Sequence, residues 1–232
     1  MEKTMAFGLP RRFDQYRPET RPVRLEEDLS ERERRTAANY LGGQRVFLTK
    51  HLLCEDGSAM LTRLREEIAA RRQIPEHFES PEGFAMQVYG IANELVVSDP
   101  ANELEYDPDR VFEEGGVCGQ SVAAAEAAAH VLYGEVKPEF EGSTRVLVCR
   151  IRKTGLQLRR GWHAVLVVKG QREGQEEPDE YVLDAINHVR GPLRAWMQGE
   201  GYQDHDFMID SIVAESEEAL MIDQPLFPGS EE

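Results

Sequence analysis

The feature that most constrains the fold of this chain is a change in the spacing of its apolar residues. Up to Tyr133, apolar side chains recur mainly at helical spacing. From Arg145 onward they fall in short runs of strand length, separated by glycine, proline and charged residues. Helices followed by an antiparallel sheet predict a fold of the α+β class.

The helical spacing predicts four helices, at residues 30–41, 58–72, 80–98 and 118–133. Ser30 and Glu33 have the form of a capping box, and Ser80 before Pro81 has the form of an N-cap followed by a first helical proline. The acidic stretch at residues 101–116 is predicted to be a surface loop that leads into the fourth helix.

The strand-length runs predict four strands, at residues 145–151, 162–168, 181–186 and 207–213. The second run is almost continuously apolar, which implies burial on both faces of the sheet. The charged connection at residues 169–180 predicts a solvated hairpin loop, which would place the second and third strands side by side.

The composition divides the chain into three parts. Residues 1–28 form an extended basic arm rich in arginine and proline, residues 29–214 form one domain, and residues 215–232 form an acidic tail that is expected to fray. Two interpretations of the arm stay open, namely a binding arm or a segment that lies on the acidic domain.

Charge and composition exclude several classes of function. The 43 acidic and 27 basic residues give a net charge of −16, which disfavours nucleic acid as a partner. No apolar run approaches the ~20 residues of a membrane span, and no signal peptide is visible. Three cysteines are too few for a disulfide scaffold. We therefore expect a cytoplasmic protein, or one exported by a route without a Sec signal; the oligomeric state stays open.

One stretch indicates a reactive cysteine. A glycine pair comes shortly before Cys118, and Cys118 stands in the first turn of the predicted Ala-rich helix. The positive end of a helix dipole and its unpaired backbone amides favour a thiolate there. Gly116 and Gly119 keep side chains away from the sulfur, so that a substrate backbone can approach. The alternative is a cysteine that only packs inside a buried helix.

Two further residues favour the chemical interpretation. His163 stands near the start of the most apolar strand, and Asp184 closes the next strand. Each side chain is costly to bury without a partner. Adjacent antiparallel strands would place the carboxylate beside the imidazole, where it would fix the tautomer while the other ring nitrogen serves the thiol.

A Cys, His and Asp in this order, with the Cys opening a helix and the others on successive strands, resembles the papain-like superfamily and within it the transglutaminase-like branch. The motifs are Gly116-Val117-Cys118, Trp162-His163-Ala164-Val165 and Tyr181-Val182-Leu183-Asp184. Bacterial transglutaminase-like cysteine proteinases, arylamine N-acetyltransferases and papain-fold toxin or deamidase domains show versions of this set. The resemblance covers about residues 110–190.

The resemblance implies a papain-like fold and cysteine-dependent acyl transfer, by hydrolysis, deamidation or transamidation of a peptide or glutamine amide. In it Cys118 is the nucleophile, His163 the proton carrier and Asp184 the orienting group, with a protein or peptide substrate and no cofactor or metal. Alternatives are a non-catalytic papain-like module that binds a protein, and a host-directed effector with the same chemistry.

The sequence also departs from these families. Phe112 stands where papain has its oxyanion glutamine, six residues before the nucleophile, which leaves Gln120 and Trp162 as candidate donors. Glu114 replaces the arginine of the acetyltransferase motif, which weakens a coenzyme A interpretation. Asn187 is a second candidate for orienting the histidine.

The remaining cysteines and histidines are assigned no chemistry. Cys118 and Ser121 have the spacing of a monothiol redox motif, but no thioredoxin-like strand precedes them. No histidine has the spacing of a metal ligand relative to cysteine or acidic clusters. Structural, packing or solvated roles are therefore predicted for Cys54, Cys149, His51, His77, His130, His188 and His205.

Overall fold

The structure is a computed structural model of the chain. It describes the backbone of residues 24 and 25, and residues 29–32, 34, 35, 37, 41, 66, 70, 78–95, 118–153, 160–198, 201, 202, 207–216 and 218–221. The predicted loop at 101–116 and most of the predicted helix at 58–72 lie outside the described residues, although residues 66 and 70 are helical. In the first predicted helix, residues 31, 32, 34, 35, 37 and 41 are helical.

Two helices pack on the sheet. Helix α1 spans Pro81–Leu95, and Ser80 caps it as predicted, because its Oγ accepts a hydrogen bond from the backbone N–H of Gly83 at 3.2 Å. Helix α2 spans Cys118–Val136 and begins at the cysteine. Every residue of α2 from Cys118 to Gly134 is buried, as expected of a helix whose small side chains let neighbouring elements approach on all sides.

The described strands form one seven-stranded sheet whose pairings are all antiparallel. The strand order is β1-β6-β2-β3-β4-β5, and β7 also pairs with β2. The fold is therefore α+β, with helices beside an antiparallel sheet, as predicted. The strands are β1 (Arg24–Leu25), β2 (Glu141–Lys153), β3 (Arg160–Gln171), β4 (Asp179–Asp184), β5 (Val189–Pro192), β6 (Phe207–Glu215) and β7 (Ala219–Leu220).

Strand β3 lies in the middle of the sheet and is buried on both faces, which confirms the prediction from its apolar run. Ala164 and Leu166 belong to the core between the sheet and the two helices. Val165 and Val167 point to the other face, where they join a second core that contains Trp196. Alternation along one strand therefore presents neighbouring residues to two different cores.

The structure adds elements that the sequence did not predict. Strand β5 is short and contains both glycine and proline, so it carries no strand signal, and it is followed by the short helix α3 (Leu193–Met197). The expectation of a frayed chain from Glu215 onward is wrong for the described residues, because β7 pairs with β2. An ion pair of 2.8 Å between Lys169 and Glu218 shows how the acidic tail is held.

The limits of the domain remain predictions. The register places Arg24, in the predicted extended arm, opposite Glu215 in β6, so at least part of the arm pairs with the sheet. No helix among the described residues is long and apolar enough to cross a membrane.

Candidate functional site

Cys118 is the first residue of α2, as the sequence predicted. The first turn of this helix contains no acidic side chain that would oppose a negative charge on the sulfur. Cys118 is 9 % exposed, and it belongs to the core between the helices and the sheet. The helix therefore presents a narrowly exposed thiol beside its own N-terminal amides.

His163 is hydrogen-bonded to Asp184 and interacts electrostatically with Cys118. Its Nε2 lies 2.6 Å from Oδ2 of Asp184, and the interaction with Cys118 helps to raise the pKa of its ring. Because Nε2 is engaged by the carboxylate, Nδ1 is the nitrogen that remains for the thiol. Of the three residues that the sequence singled out, the structure brings His163 and Asp184 into direct contact and places Cys118 near them.

The register of the sheet explains how His163 and Asp184 meet. Leu166 of β3 pairs with Leu183 of β4, so Asp184 lies one step further toward the start of β3. Odd residues of β3 share the face that Asp184 points to, because side chains alternate along each strand. The imidazole and the carboxylate are therefore diagonal neighbours on one face of adjacent strands, a distance that long side chains span.

Asp184 is 2 % exposed, and a set of hydrogen-bond donors surrounds it. Oδ2 accepts from His163, from the hydroxyl of Tyr202 at 2.6 Å and from Nδ2 of Asn187 at 3.0 Å. Oδ1 accepts from the backbone N–H and from Nδ2 of Asn187, each at 3.2 Å. These donors satisfy a buried carboxylate only in its ionised form.

Asn187, the second candidate for orienting the histidine, also takes part. Its Nδ2 lies 3.2 Å from Nε2 of His163, further away than the carboxylate of Asp184. The turn after β4 brings Asn187 back over Asp184, and His188 closes this turn with a positive φ of 56° and a backbone hydrogen bond to Ala185. Asp184 is therefore the direct partner of the imidazole, and Asn187 holds the carboxylate.

The hydrogen-bond donors and acceptors around Asp184 fix which atoms carry protons. The indole N–H of Trp196 can only donate, and it lies 3.1 Å from the Tyr202 oxygen. The Tyr202 proton goes to Asp184. Because the ionised carboxylate can only accept, Nε2 of His163 carries a proton. In the neutral ring, Nδ1 would then hold the lone pair that can take a proton from Cys118.

The electrostatics favour a charged histidine. Burial lowers the pKa of His163, but the charge and hydrogen bond of Asp184, together with the smaller influence of Cys118, outweigh burial and raise it to about 10. Burial likewise raises the pKa of Asp184, while the His163 charge and the hydrogen bonds from His163, Tyr202 and Asn187 lower it below its usual value. At neutral pH the pair is therefore an imidazolium and a carboxylate.

Cys149 lies next to the site but has a different environment. It pairs with His163 across β2 and β3 and is fully buried, in agreement with the structural role predicted for it. Burial, with smaller contributions from the charges of Asp184 and Cys118, raises the pKa of this thiol above its usual range. Cys149 is therefore a neutral, enclosed thiol, and it serves as an internal reference for the reactivity of Cys118.

The candidates for a second oxyanion donor remain predictions. Gln120 is 1 % exposed in the first turn of α2. Trp162 is partly buried and packs against the core between the helices and the sheet. Phe112, at the position of the papain glutamine, lies outside the described residues.

His130 has the packing role predicted for it. It is fully buried in α2, and its Nε2 lies 3.1 Å from Oγ1 of Thr144 in β2. The Thr144 hydroxyl donates to Glu126 at 2.9 Å, so the three side chains form one buried polar network between helix and sheet. Burial lowers the pKa of His130 to about 4, which keeps its ring neutral at physiological pH.

His188 and the connection between β3 and β4 lie at the surface. His188 is exposed, and residues 172–178 form the mostly exposed connection between β3 and β4, as predicted. Within the ranges described above, no three His, Cys, Asp or Glu side chains are grouped closely enough to hold a metal ion. Cys54, His51, His77 and His205 lie outside the described residues.

Sequence reasoning missed the aromatic residues behind Asp184. Trp196 lies in α3, and Tyr202 lies in the segment after it; both hydrogen-bond into the site. Phe207 is the first residue of β6, and its ring centroid lies 5.8 Å from that of His163. The only signal in the sequence was that two aromatic residues stand in an otherwise polar, glycine-containing stretch. An indole N–H and a phenol buried in such a stretch need polar partners.

Comparison with known proteins provides no family assignment. No model of a protein family matches the chain, and no curated protein is similar enough in sequence to count as a relative.

Proposed function

We propose that the chain is a cysteine-dependent acyl-transfer enzyme that acts on a peptide or glutamine-like amide. The observation that carries the proposal is the position of His163, which is hydrogen-bonded to Asp184 through Nε2 and lies close enough to Cys118 for the two groups to interact electrostatically. A nucleophile, a proton carrier and an orienting acid in this order are the minimum set for nucleophilic catalysis by a thiol.

The proposed reaction begins with the thiolate of Cys118 and the imidazolium of His163. The sulfur attacks the carbonyl carbon of the amide, and the backbone N–H of Cys118, at the start of α2, stabilises the developing oxyanion. His163 gives its Nδ1 proton to the departing amine, which leaves a thioester on Cys118. Water or an amine then attacks the thioester and gives a proton to Nδ1, and the acyl product leaves while the sulfur returns to the thiolate and the ring to the imidazolium.

The arrangement of the elements supports the proposed kinship with papain-like and transglutaminase-like enzymes. The cysteine opens a helix beside an antiparallel sheet, and the histidine and aspartate lie on its adjacent strands β3 and β4. Since unrelated folds reach the same triad, the kinship supports the chemistry but does not carry it.

One observation favours the alternative of a non-catalytic protein-binding module. Cys118 is 9 % exposed and His163 only 4 %, so a substrate has a narrow approach to the sulfur. A module that binds through the surface around the glycine loop before this helix would keep the same fold without using the thiol. The two functions differ in whether Cys118 becomes acylated.

An acylation experiment separates them. The full chain is incubated with p-nitrophenyl acetate, and p-nitrophenol release is followed together with the intact mass of the protein. An acyl-transfer enzyme gives a burst of p-nitrophenol equal to the protein concentration, with one acetyl group on Cys118 that His163→Gln slows strongly. Cys149→Ala is the matched control and keeps the burst. Absence of an acetyl group on Cys118 would leave only the binding module.

A further inference from the structure

The donors behind Asp184 form a directional chain of hydrogen bonds. It begins at Trp196 Nε1, passes through the Tyr202 hydroxyl and ends on Oδ2 of Asp184, which also accepts from His163. The direction is fixed because an indole N–H cannot accept a hydrogen bond and an ionised carboxylate cannot donate one. All four residues are at most 4 % exposed, so water does not compete for these bonds.

We propose that Tyr202, held by Trp196, is a positioning residue that sets where the proton between His163 and Asp184 resides. This inference rests on the proposed function, since the proton on His163 matters for the thiol chemistry. Tyr202 does not reach the sulfur in the proposed mechanism and acts only through the carboxylate.

The physical reason is that Tyr202 and His163 share one oxygen of Asp184, Oδ2. Tyr202 and His163 approach Oδ2 at the same distance of 2.6 Å, and two donors on one acceptor compete for its electron density. The hydrogen bond from Tyr202 lowers the pKa of Asp184 and so weakens its hold on the proton of His163. The hydroxyl thereby keeps this proton on the imidazole, whose positive charge interacts with Cys118.

Tyr202 also suits this role because it remains a neutral donor. Burial, followed by the charge and hydrogen bond of Asp184, raises its pKa far above the usual range. Its ring contacts both Trp196 and Phe207, with centroid distances of 6.4 and 5.1 Å. Packing therefore holds the ring in place, and the hydroxyl keeps one direction.

The test compares proton NMR spectra of the full chain with 15N-labelled histidine at pH 7. The resonance of the Nε2–H of His163 is identified by its loss in His163→Gln. In Tyr202→Phe, which removes only the competing hydroxyl, we expect this resonance to shift downfield because Asp184 draws the proton more strongly. Trp196→Phe should shift it in the same direction by less, since it only weakens the donor.

Tyr133→Phe is the matched control. Tyr133 is also a buried tyrosine with a hydrogen bond, to the carbonyl of Phe140, and this variant should leave the His163 resonance unchanged. An unshifted or upfield resonance in Tyr202→Phe would overturn the proposal and leave Tyr202 a structural role. If Tyr202→Phe does not fold, Trp196→Phe decides in the same way. The readout needs no turnover, so a chain without acylation on Cys118 can still show the shift.

Discussion

Replacing Asp184 with asparagine removes the charge that makes His163 basic while keeping nearly the same side-chain volume. In the native site, Asp184 opposes the burial that would otherwise lower the pKa of His163. Without the carboxylate charge and its hydrogen bond, burial is the largest influence that remains. We expect the pKa of His163 to fall from about 10 to its ordinary value of 6.5 or below.

A fall of the pKa from about 10 to 6.5 corresponds to about 5 kcal/mol of interaction between imidazolium and carboxylate. The folded state should lose stability on a similar scale, because removing one partner of a buried ion pair costs about 3–5 kcal/mol. The sign with pH follows from the raised pKa of His163. The stabilisation is fully present below pH 6.5 and is lost as the pH rises through about 10 in the native chain.

The assay is an NMR titration of the His163 ring in native and Asp184→Asn chains, combined with urea unfolding at pH 7. Asp210→Asn is the matched control, since Asp210 forms a solvent-exposed ion pair with Arg152 at 2.6 Å. It should leave the titration of His163 unchanged and cost at most about 1 kcal/mol. If His163 in Asp184→Asn still holds its proton at pH 8, the reasoning about this pair is refuted.

Three other predictions concern stability and are measured by chemical unfolding. The free energy of unfolding should fall by about 3 kcal/mol as the pH drops from 6.5 to 4, because buried His130 has its pKa lowered to about 4 and resists protonation until the chain unfolds. His130→Gln should flatten this slope, and an unchanged slope would contradict the assignment. Thr144→Val should cost about 1–3 kcal/mol, because it removes the hydroxyl that bridges two buried polar groups; a neutral effect would show that the network contributes nothing. Gly170→Ala should cost about 1–3 kcal/mol, because a Cβ there would lie 2.5 Å from Cγ of Pro81; an unchanged midpoint would show that α1 can move away.

The sequence predicted the site best where each residue carried its own local signal. A helix begins at Cys118 because the glycines before it give way to an alanine-rich run, and this pattern is local. His163 and Asp184 were suspected because buried strands rarely hold such residues without partners. The hairpin between β3 and β4 then placed them together, since its connection is short and polar.

The rest of the site depends on contacts that no local pattern encodes. Tyr202 reaches Asp184 from 18 residues away, and the described residues between them include β5 and α3. Strand β7 was missed because two residues with acidic neighbours resemble a frayed tail. Its place depends on β2 and on the ion pair between Lys169 and Glu218, which the sequence does not link.

The most direct test of the central claim is the rate of alkylation at each cysteine at pH 7, measured by peptide mass spectrometry after brief exposure to iodoacetamide. We expect Cys118 to react much faster than fully buried Cys149, Cys118→Ala to abolish the fast reaction, and His163→Gln to slow it strongly. Equal rates at Cys118 and the other cysteines of the native chain, or a rate at Cys118 that does not depend on His163, would contradict an activated thiol.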